Sequence, residues 1–505
     1  MKLRALAIGA GAGVLAALVT TIAMVLLRTI AGVPLPLELG SDRFIPKLSV
    51  GTFLRLIDLV GGFVAGKRLG FWSFFLGQVG LGLTVGAAYA FLLPRVARRR
   101  LLLGIGAGVF AAWLVSIAVL YPTLSSSYLG LPPGWAAVVS GLSLLALLAL
   151  FAVLLVWLTA FISPRPAGGE GLSRRALLAG AGGGLLALTA GGLVKRLYDH
   201  SAIGYDGFTT RPPIDPVTPS DRHYVVTKNF VDPDVDSSLW RLELTGLVEN
   251  PHTFDLDGVK ALTSVEQVTT LECISNGVGG GLISNARWTG VPLLRLLERA
   301  GVKDSATDVY AQAVDGYGHG FPIEKALEPT TLLAYHMNGE PLPRRHGFPL
   351  RLLVPGSYGE VSVKWITRIE LMDDVRKGFY EQQGWRAEQV HTMSRIDRPG
   401  GVNKIHLGEA LPVTGIAFAG DRGISKVEVS TDGGRSWQDA HLDYRGSRIT
   451  WALWSYDWRP EREGIHMLVV RATDGGGELQ TSERGGINPD GATGYHQPRV
   501  RIVFV

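Results

Sequence analysis

Five long apolar segments before residue 195 restrict the fold of this chain more than any other feature of its sequence. Each contains about 20 residues or more, which is enough for a helix to cross a lipid bilayer. They are Ala5–Leu27, Phe71–Leu93, Leu101–Tyr121, Trp135–Ile162 and Ala176–Val194. Residues 1–195 are therefore predicted to form an all-α transmembrane bundle of about five helices. The apolar content of the whole chain reaches 47% because the excess lies in this region.

Basic residues flank these segments on alternate sides. They lie before the first segment, between the second and third, and between the fourth and fifth (Lys2, Arg4, Arg95, Arg98, Arg99, Arg100, Arg165, Arg174 and Arg175). Because positive residues favour the cytoplasmic side, the N-terminus is predicted to lie inside and the large C-terminal part outside. The sequence Ser173-Arg174-Arg175 resembles a twin-arginine export signal. The alternative is that the two arginines only anchor the fifth helix, and both readings place the following domain outside.

One segment does not fit this simple topology. Arg28–Gly70 would be an outer loop, yet it is rich in basic residues, and its apolar stretch Leu48–Ala65 is interrupted by Arg55 and Asp58. We interpret Leu48–Ala65 as an interfacial or re-entrant segment. The alternative is a sixth crossing, which would invert the topology of one end.

Charge and cysteine content exclude several classes of function. The net charge of +5 is small for 505 residues and no dense basic patch contains interleaved aromatic residues, so nucleic-acid binding is not expected. The single cysteine, Cys273, excludes intrachain disulfides, a CxxCH haem attachment and an iron–sulfur cluster held by this chain alone. Because no histidine precedes His200, a haem with two histidine ligands in the membrane region is excluded as well.

Cys273 lies in the most informative stretch of the chain, Leu271–Arg299. The pattern predicts a strand that ends at the cysteine, a glycine-rich loop, and a short amphipathic helix that begins at Pro292 and ends before Gly301. A lone cysteine can be a small buried hydrophobic residue, a nucleophile with a histidine base, or a thiolate ligand of a metal. A glycine-rich loop would let the backbone approach a bulky ligand, but the residues alone leave these alternatives open.

This stretch and a second one resemble the sulfite oxidase family of molybdopterin-dependent oxidoreductases, in its membrane-anchored bacterial type. The second stretch runs from Leu332 to Gly356 and continues to Val363-Lys364-Trp365. The resemblance covers residues 222–505 and implies a molybdenum–molybdopterin cofactor with Cys273 as the protein ligand of the metal. It implies catalytic roles for Cys273, Tyr335 and Lys228, with Tyr335 bonding to the transferred oxygen. The cofactor-binding residues that it implies are Asn229, Cys273, Asn276, His346, Arg351, Ser362 and Lys364.

The soluble part divides further by composition and by the resemblance. Residues 196–221 are predicted to be a linker, and residues 222–397 an α+β molybdopterin-binding oxidoreductase domain. From residue 398 to 505, short alternating runs separated by Asp-Gly-Gly turns predict a β-sandwich, and the resemblance implies that it is immunoglobulin-like. These runs are Ile424–Val429, His466–Ala472 and Arg499–Val505. The family carries such a domain at its C-terminus, which implies a homodimer.

Two departures from the family concern the substrate. Lys228 occupies a place where sulfite oxidases have an arginine, and no arginine lies between Cys273 and Arg287, where another is expected. A lysine is a point charge and not a planar fork, so both departures argue against tight sulfite binding. They leave open a neutral or singly charged oxygen donor such as a sulfoxide, or some other anion.

The predicted function is oxygen-atom transfer on a small substrate outside the cytoplasm, by sulfoxide-type reduction or sulfite-type oxidation. A separate electron-transfer partner, a haem protein or a quinone, is expected because the chain lacks the second redox centres named above. One alternative is a non-catalytic cofactor-binding or assembly subunit of a membrane redox complex. A transporter or sensor is the other, and the scarcity of ionisable residues within the apolar segments argues against it.

Overall fold

The computed structural model describes residues 2–163, 174–207, 209–212, 214–386, 389–399, 404–408 and 410–503. Helices make up the N-terminal region: α1 (Lys2–Ile30), α2 (Pro36–Phe44), α3 (Val50–Leu59), α4 (Phe63–Leu92), α5 (Arg98–Leu120), α6 (Pro133–Ile162) and α7 (Arg174–Asp199). Among the described residues, five helices (α1, α4, α5, α6 and α7) are long and apolar enough to cross a membrane. They coincide with the five segments predicted from the sequence.

Small residues let α1 and α4 approach each other closely. Gly9 and Gly13 of α1 face Gly82 and Gly86 of α4, and a side chain at any of the four positions would overlap the backbone of the other helix. Such small-residue contacts are typical of helices packed in a membrane, where van der Waals packing replaces the hydrophobic effect. Helix α1 also packs against α6 and α7.

The described helices between α1 and α4 are too short to cross a bilayer. Helix α3 contains 10 residues, which is about 15 Å of helix where a bilayer core needs about 30 Å. Ser49 caps it by accepting a hydrogen bond from the Thr52 amide at 3.3 Å. Helices α2 and α3 lie against the soluble part of the chain, in contacts described with the site below.

The first soluble unit contains two sheets and three short helices. Its elements are β1 (Leu242–Gly246), β2 (His252–Phe254), α8 (Leu256–Lys260), β3 (Val265–Glu272), β4 (Ile283–Pro292), α9 (Leu293–Ala300), β5 (Asp308–Ala313), β6 (Gly318–Pro322), α10 (Ile323–Ala326), β7 (Leu332–Met337), β8 (Glu340–Pro341), β9 (Arg351–Leu353) and β10 (Ile366–Met372). One sheet has the order β2-β1-β10-β5-β6, in which β1 and β10 are parallel. The other has the order β3-β4-β7-β8, and β9 also pairs with β7.

Helix α9 packs into the hydrophobic core that it shares with these strands. Its residues Leu293, Leu296 and Leu297 are fully buried together with Trp240. Gly301, at φ +69°, ends the helix as the sequence predicted. The helix begins one residue later than predicted, because Pro292 is still paired in β4 with Leu332 of β7.

The C-terminal region is rich in strands. They are β11 (Met393–Arg398), β12 (Lys404–His406), β13 (Leu411–Phe418), β14 (Ile424–Ser430), β15 (Gln438–Asp439), β16 (His441–Tyr444), β17 (Ala452–Trp458), β18 (Gly464–Met467), β19 (Val469–Asp474) and β20 (Arg499–Val503). The sheet orders are β11-β13-β17-β16, β12-β20-β18 and β15-β14-β19. Buried residues of these sheets, Trp454 and Val470 among them, share one hydrophobic core.

One predicted strand of this region is two strands. The run His466–Ala472 divides at Leu468, because β18 pairs with β20 whereas β19 pairs with β14. The side chain of Leu468 is fully buried and its amide donates to the Pro498 carbonyl at 3.0 Å. The inward-facing alternation therefore continues through the point where the chain passes from one sheet to the next, so the sequence pattern does not reveal the break.

Candidate active site

A cavity of about 310 Å³ lies where the end of β3, the loop after it and the segment between β9 and β10 meet. Residues of the N-terminal region complete its wall, namely Phe53, Leu54 and Ile57 of α3 and Phe63 of α4. Most of the wall is apolar, so each polar group that faces the cavity is a candidate for function.

Cys273 follows β3 directly and faces this cavity. Its amide donates to the Leu282 carbonyl at 2.9 Å, and its Sγ lies 3.0 Å from the Ser275 hydroxyl. Asn276 fixes the loop by donating to Glu272 at 2.8 Å and accepting from the Leu282 amide at 2.9 Å. Burial raises the pKa of the Cys273 thiol to about 11, although the hydrogen bond from Ser275 opposes this. A metal that binds here would displace the thiol proton.

Three cations form what we call the basic cluster: Arg345, Arg351 and Lys364, all of which line the cavity. Gly347, at φ +115°, makes a turn against which Lys364 and Arg351 pack closely. A Cβ atom at this position would lie 3.1 Å from Lys364 Cβ and 3.2 Å from Arg351 Cβ, so a glycine is needed here. His346 lies beside them and its Nε2 donates to the Ser220 carbonyl at 3.0 Å.

Within the described part of the chain, the hydrogen bonds that the basic cluster donates go to backbone carbonyls and not to carboxylates. Burial lowers the pKa of Arg351 to about 10 and that of Lys364 to about 8. Burial and the neighbouring His223 and Arg351 lower the pKa of His346 well below 6.5, so this ring is neutral. Arg351 Nε is buried without a hydrogen-bond partner among the described residues. A dianion such as a phosphate would satisfy these donors.

A second set of groups, which we call the thiol cluster, comprises Cys273, Glu360 and Tyr380. Burial raises the pKa of the Glu360 carboxyl to about 8, and its Oε1 has no hydrogen-bond partner in the described part of the chain. Burial raises the pKa of Tyr380 well above 10, and negative charge at Cys273 and Glu360 adds to the effect. Both groups are therefore protonated at neutral pH and are able to donate protons into the cavity.

Lys228 lines the cavity but is fully engaged with other protein groups. Its ammonium donates to Asp42 at 2.7 Å and to the Asp315 carbonyl at 3.0 Å, and it lies 3.9 Å from the Asp315 carboxylate. Asp42 belongs to α2, so a charged residue of the N-terminal region reaches the candidate site.

The structure brings most of the predicted site residues to one cavity. Cys273, Lys228, His346, Arg351, Ser362 and Lys364 line it. Asn229 and Asn276 are not found among its described lining residues. Asn229 instead donates to Asp315 at 2.7 Å, and Asn276 shapes the loop after Cys273. Both asparagines therefore position neighbouring groups, and their direct contact with a cofactor stays a prediction.

Tyr335 lies on the face of β7 opposite to the residues beside Cys273. Side chains alternate along β7, so Leu333 and Tyr335 pack in the large core while Leu332 and Ala334 pack in the cluster that Cys273 adjoins. Tyr335 consequently faces away from Cys273 and is absent from the described lining of the cavity. The bond from Tyr335 to a transferred oxygen stays a prediction.

Sequence reasoning missed Tyr380, Glu360, Arg345 and the apolar wall formed by α3. Tyr380 and Glu360 lie in irregular segments with no periodic pattern, so nothing local marked them. Arg345 adjoins the predicted His346 within a run of three basic residues, and that proximity was a usable signal.

Comparisons with known proteins agree with this site. Residues 229–380 match the family model described as "Oxidoreductase molybdopterin binding domain", and residues 386–487 match "Mo-co oxidoreductase dimerisation domain". Mitochondrial sulfite oxidase of Drosophila melanogaster is 30% identical over 357 residues, covering 59% of this chain and 62% of that protein. The Homo sapiens enzyme is 30% identical over 304 residues, covering 50% and 56% respectively. The nitrate reductase [NAD(P)H] of Hordeum vulgare is 29% identical and covers 57% of this chain and 40% of that protein.

One solved structure extends the comparison. The sulfane dehydrogenase SoxCD from Paracoccus pantotrophus superposes with a TM-score of 0.51 at 27% identity, covering 54% of this chain and 76% of that chain. The present chain spans 62% or less of the length of the curated relatives named above.

The α+β unit, with a partly buried thiol and a basic cluster in one cavity, fits a molybdopterin-binding oxidoreductase. The chain belongs to the sulfite oxidase family of molybdenum-dependent enzymes. Its cofactor is a molybdenum–molybdopterin, and the residues present fit that group. The buried Arg351 and the half-buried Lys364 are cations suited to the pterin phosphate, and Cys273 would supply a soft sulfur ligand for the metal.

Proposed function

We propose that this protein is a membrane-anchored oxidoreductase that transfers an oxygen atom to or from a small substrate outside the cytoplasm. The observation that carries the proposal is that one cavity contains both the Cys273 thiol and the basic cluster. A thiol alone could be a buried hydrophobic residue, and a basic cluster alone could bind any anion. Together they suit a ligand that carries a metal at one position and a phosphate at another.

The bound cofactor supplies a metal that changes oxidation state and accepts or donates an oxygen atom. In the direction of reduction, an oxidised substrate takes up two electrons and two protons, and it leaves as the reduced compound plus one water molecule. Glu360 and Tyr380 carry protons at neutral pH and line the cavity, so we assign the delivery of protons to these two groups. Oxidation of a substrate reverses each of these transfers.

Electrons come from, or pass to, a separate partner. The sequence contains one cysteine, and no histidine precedes His200, so the membrane region does not hold the haem centres considered above. We propose a haem protein or a membrane quinone as this partner. The apolar residues that α3 contributes to the wall of the cavity support exchange close to the membrane surface.

The N-terminal region anchors the enzyme in the cell membrane in this proposal. Five crossings with the N-terminus inside would place residues 222–505 outside the cytoplasm, and the helix that begins at Arg174 would provide the export signal. We propose that residues 398–505 form an immunoglobulin-like domain through which two copies associate. The match of residues 386–487 to a dimerisation domain supports a homodimer.

The proposal is tested by turnover measurements on the full-length protein, purified in detergent from a host that makes the cofactor. Dimethyl sulfoxide, trimethylamine N-oxide and sulfite are each offered with an artificial electron donor or acceptor. We expect molybdenum-dependent turnover of at least one of them, and loss of turnover in protein from cells grown with tungstate. Protein that is loaded with molybdenum and pterin but turns over no sulfoxide, N-oxide or sulfite would contradict catalysis. That result would favour a cofactor-binding or assembly subunit.

A further inference from the structure

Charged side chains of the N-terminal region hold the segment Thr227–Val231, which passes the cavity at Lys228. Arg28 of α1 donates to one carbonyl of this segment at 2.8 Å. Lys67 of α4 donates to two more, at 2.7 and 2.6 Å. Asp42 of α2 accepts from the Lys228 ammonium at 2.7 Å. The N-terminal region therefore fixes both the backbone and the charge of this part of the site.

The Asp42 contact neutralises a cation that would otherwise face the cavity. The side chains of Lys228 and Asp42 are 5% and 9% exposed, so water does little to screen the pair. A second carboxylate, that of Asp315, lies 3.9 Å from the same ammonium and is 2% exposed. Asn229 donates a hydrogen bond to this carboxylate at 2.7 Å and holds it in place. Two carboxylates thus surround one ammonium.

The pairing of Lys228 with these carboxylates affects how tightly the cavity binds a charged substrate. Among the described residues that line it, Lys228 is the one cation outside the basic cluster, which the cofactor phosphate would occupy. A dianion would meet a cation whose charge is already neutralised by the carboxylates of Asp42 and Asp315. An uncharged substrate would not have to displace these carboxylates from Lys228 and would not be repelled by them.

We propose that Asp42 is a specificity-determining residue, which neutralises Lys228 from the N-terminal region so that the cavity accepts an uncharged oxygen donor or acceptor and rejects dianions. This inference rests on the proposed function and names its substrate class. It also gives the N-terminal region a role in substrate selection in addition to anchoring. Asp42 acts through Lys228 and does not itself line the described wall of the cavity.

The test is the affinity of the full-length, cofactor-loaded protein for sulfate, a dianion that is not turned over. Wild type is compared by calorimetry in detergent with Asp42→Asn and with the double variant Asp42→Asn/Lys228→Gln. We expect Asp42→Asn to bind sulfate about tenfold more tightly or better, because it leaves a buried ammonium without its strongest partner. The double variant should return to the wild-type affinity. A general disturbance of the fold would weaken binding and would not produce this gain.

Asp58→Asn is the matched control, since it removes the same charge from an exposed position of α3 and should leave sulfate affinity unchanged. If Asp42→Asn is not recovered folded, Asp42→Ser removes the same carboxylate and takes its place. Sulfate binding by the Asp42 variant that is no tighter than in wild type would overturn the inference. Equal gains in the single and double variants would overturn it as well.

Metal and pterin analysis of the same samples separates failure of the inference from failure of the proposed function. Wild-type protein that carries the cofactor, combined with no gain in Asp42→Asn, refutes only the role of Asp42. Folded wild-type protein that carries no cofactor refutes the proposed function itself.

Discussion

Replacement of Lys364 by methionine should stabilise the cofactor-free protein while it weakens cofactor binding. The Lys364 ammonium donates to the carbonyls of Val226 and Arg345, both at 3.3 Å. These long hydrogen bonds do not compensate for the free energy that the ammonium loses when it leaves water. Burial therefore lowers its pKa from 10.5 to about 8. Methionine has a similar length and carries no charge, so the substitution removes the charge with little change in packing.

The magnitude follows from the pKa of Lys364. The difference between 10.5 and about 8 corresponds to about 3 kcal/mol, at about 1.4 kcal/mol per pH unit. Since part of the side chain still meets solvent, we expect a gain of about 2 kcal/mol at pH 7. Because the folded pKa lies below the unfolded value, the stability of wild type decreases as the pH falls from about 10.5 through about 8. The advantage of the variant is therefore nearly complete at pH 7 and falls to roughly 40% of that value at pH 9.5.

The assay is thermal unfolding of cofactor-free protein in detergent, followed by tryptophan fluorescence at pH 7 and pH 9.5. A gain of about 2 kcal/mol raises the unfolding temperature by about 4–8 °C for a domain of this size. Lys303→Met, at an exposed position of the same unit, is the control and should change little. In a cofactor-competent host, Lys364→Met should retain less pterin, because a charge-assisted bond to phosphate contributes about 1.5–3 kcal/mol. A variant that is less stable than wild type at pH 7, or equally stabilised at both pH values, would refute the reasoning.

Three further outcomes are expected. Glu360→Gln should stabilise the cofactor-free protein increasingly between pH 5 and pH 8. Burial raises the pKa of this carboxyl from 4.5 to about 8, so wild type loses stability over that range. Unfolding temperatures of variant and wild type that differ equally at all pH values would contradict this prediction. Lys67→Met should cost about 3–5 kcal/mol by leaving a buried carboxylate and two carbonyls unpaired. The matched variant Lys195→Met, at an exposed pair, should cost less than about 0.5 kcal/mol, and equal losses would argue against the Lys67 contact. Tyr380→Phe should lower kcat/KM by about 10–100-fold, and Tyr335→Phe should lower it by less than about threefold. The reverse order in steady-state kinetics would support the catalytic role predicted for Tyr335.

Local patterns in the sequence were sufficient for the elements around Cys273. The strand before it, the glycine-rich loop and the helix after Pro292 follow from short-range periodicity and from proline and glycine positions. The positions of His346, Arg351 and Lys364 around one cavity came from resemblance, since their convergence depends on pairing between strands distant in sequence.

The contribution of the N-terminal region could not be read from the sequence. Arg28, Asp42 and Lys67 look like ordinary charges in a loop or at a helix end, and their partners lie roughly 160–200 positions further along the chain. Helix α3 carries an amphipathic pattern that suits a membrane surface equally well. Only the fold shows that this pattern also provides one wall of the cavity.

The position of Tyr335 relative to Cys273 was also hidden from the sequence. Tyrosine at this position lies within a strongly matched block, but strand alternation decides which face of the sheet a side chain occupies. One position along β7 separates the face that adjoins Cys273 from the face that packs in the core.

The most direct test of the account is the molybdenum and pterin content of full-length protein from a cofactor-competent host, wild type beside Cys273→Ser. We expect about one molybdenum and one pterin per chain in wild type. In Cys273→Ser we expect pterin to remain, held by the basic cluster, with an altered metal spectrum and lost turnover. Folded wild-type protein without molybdenum or pterin would contradict the central claim, and so would a Cys273→Ser variant with an unchanged metal spectrum.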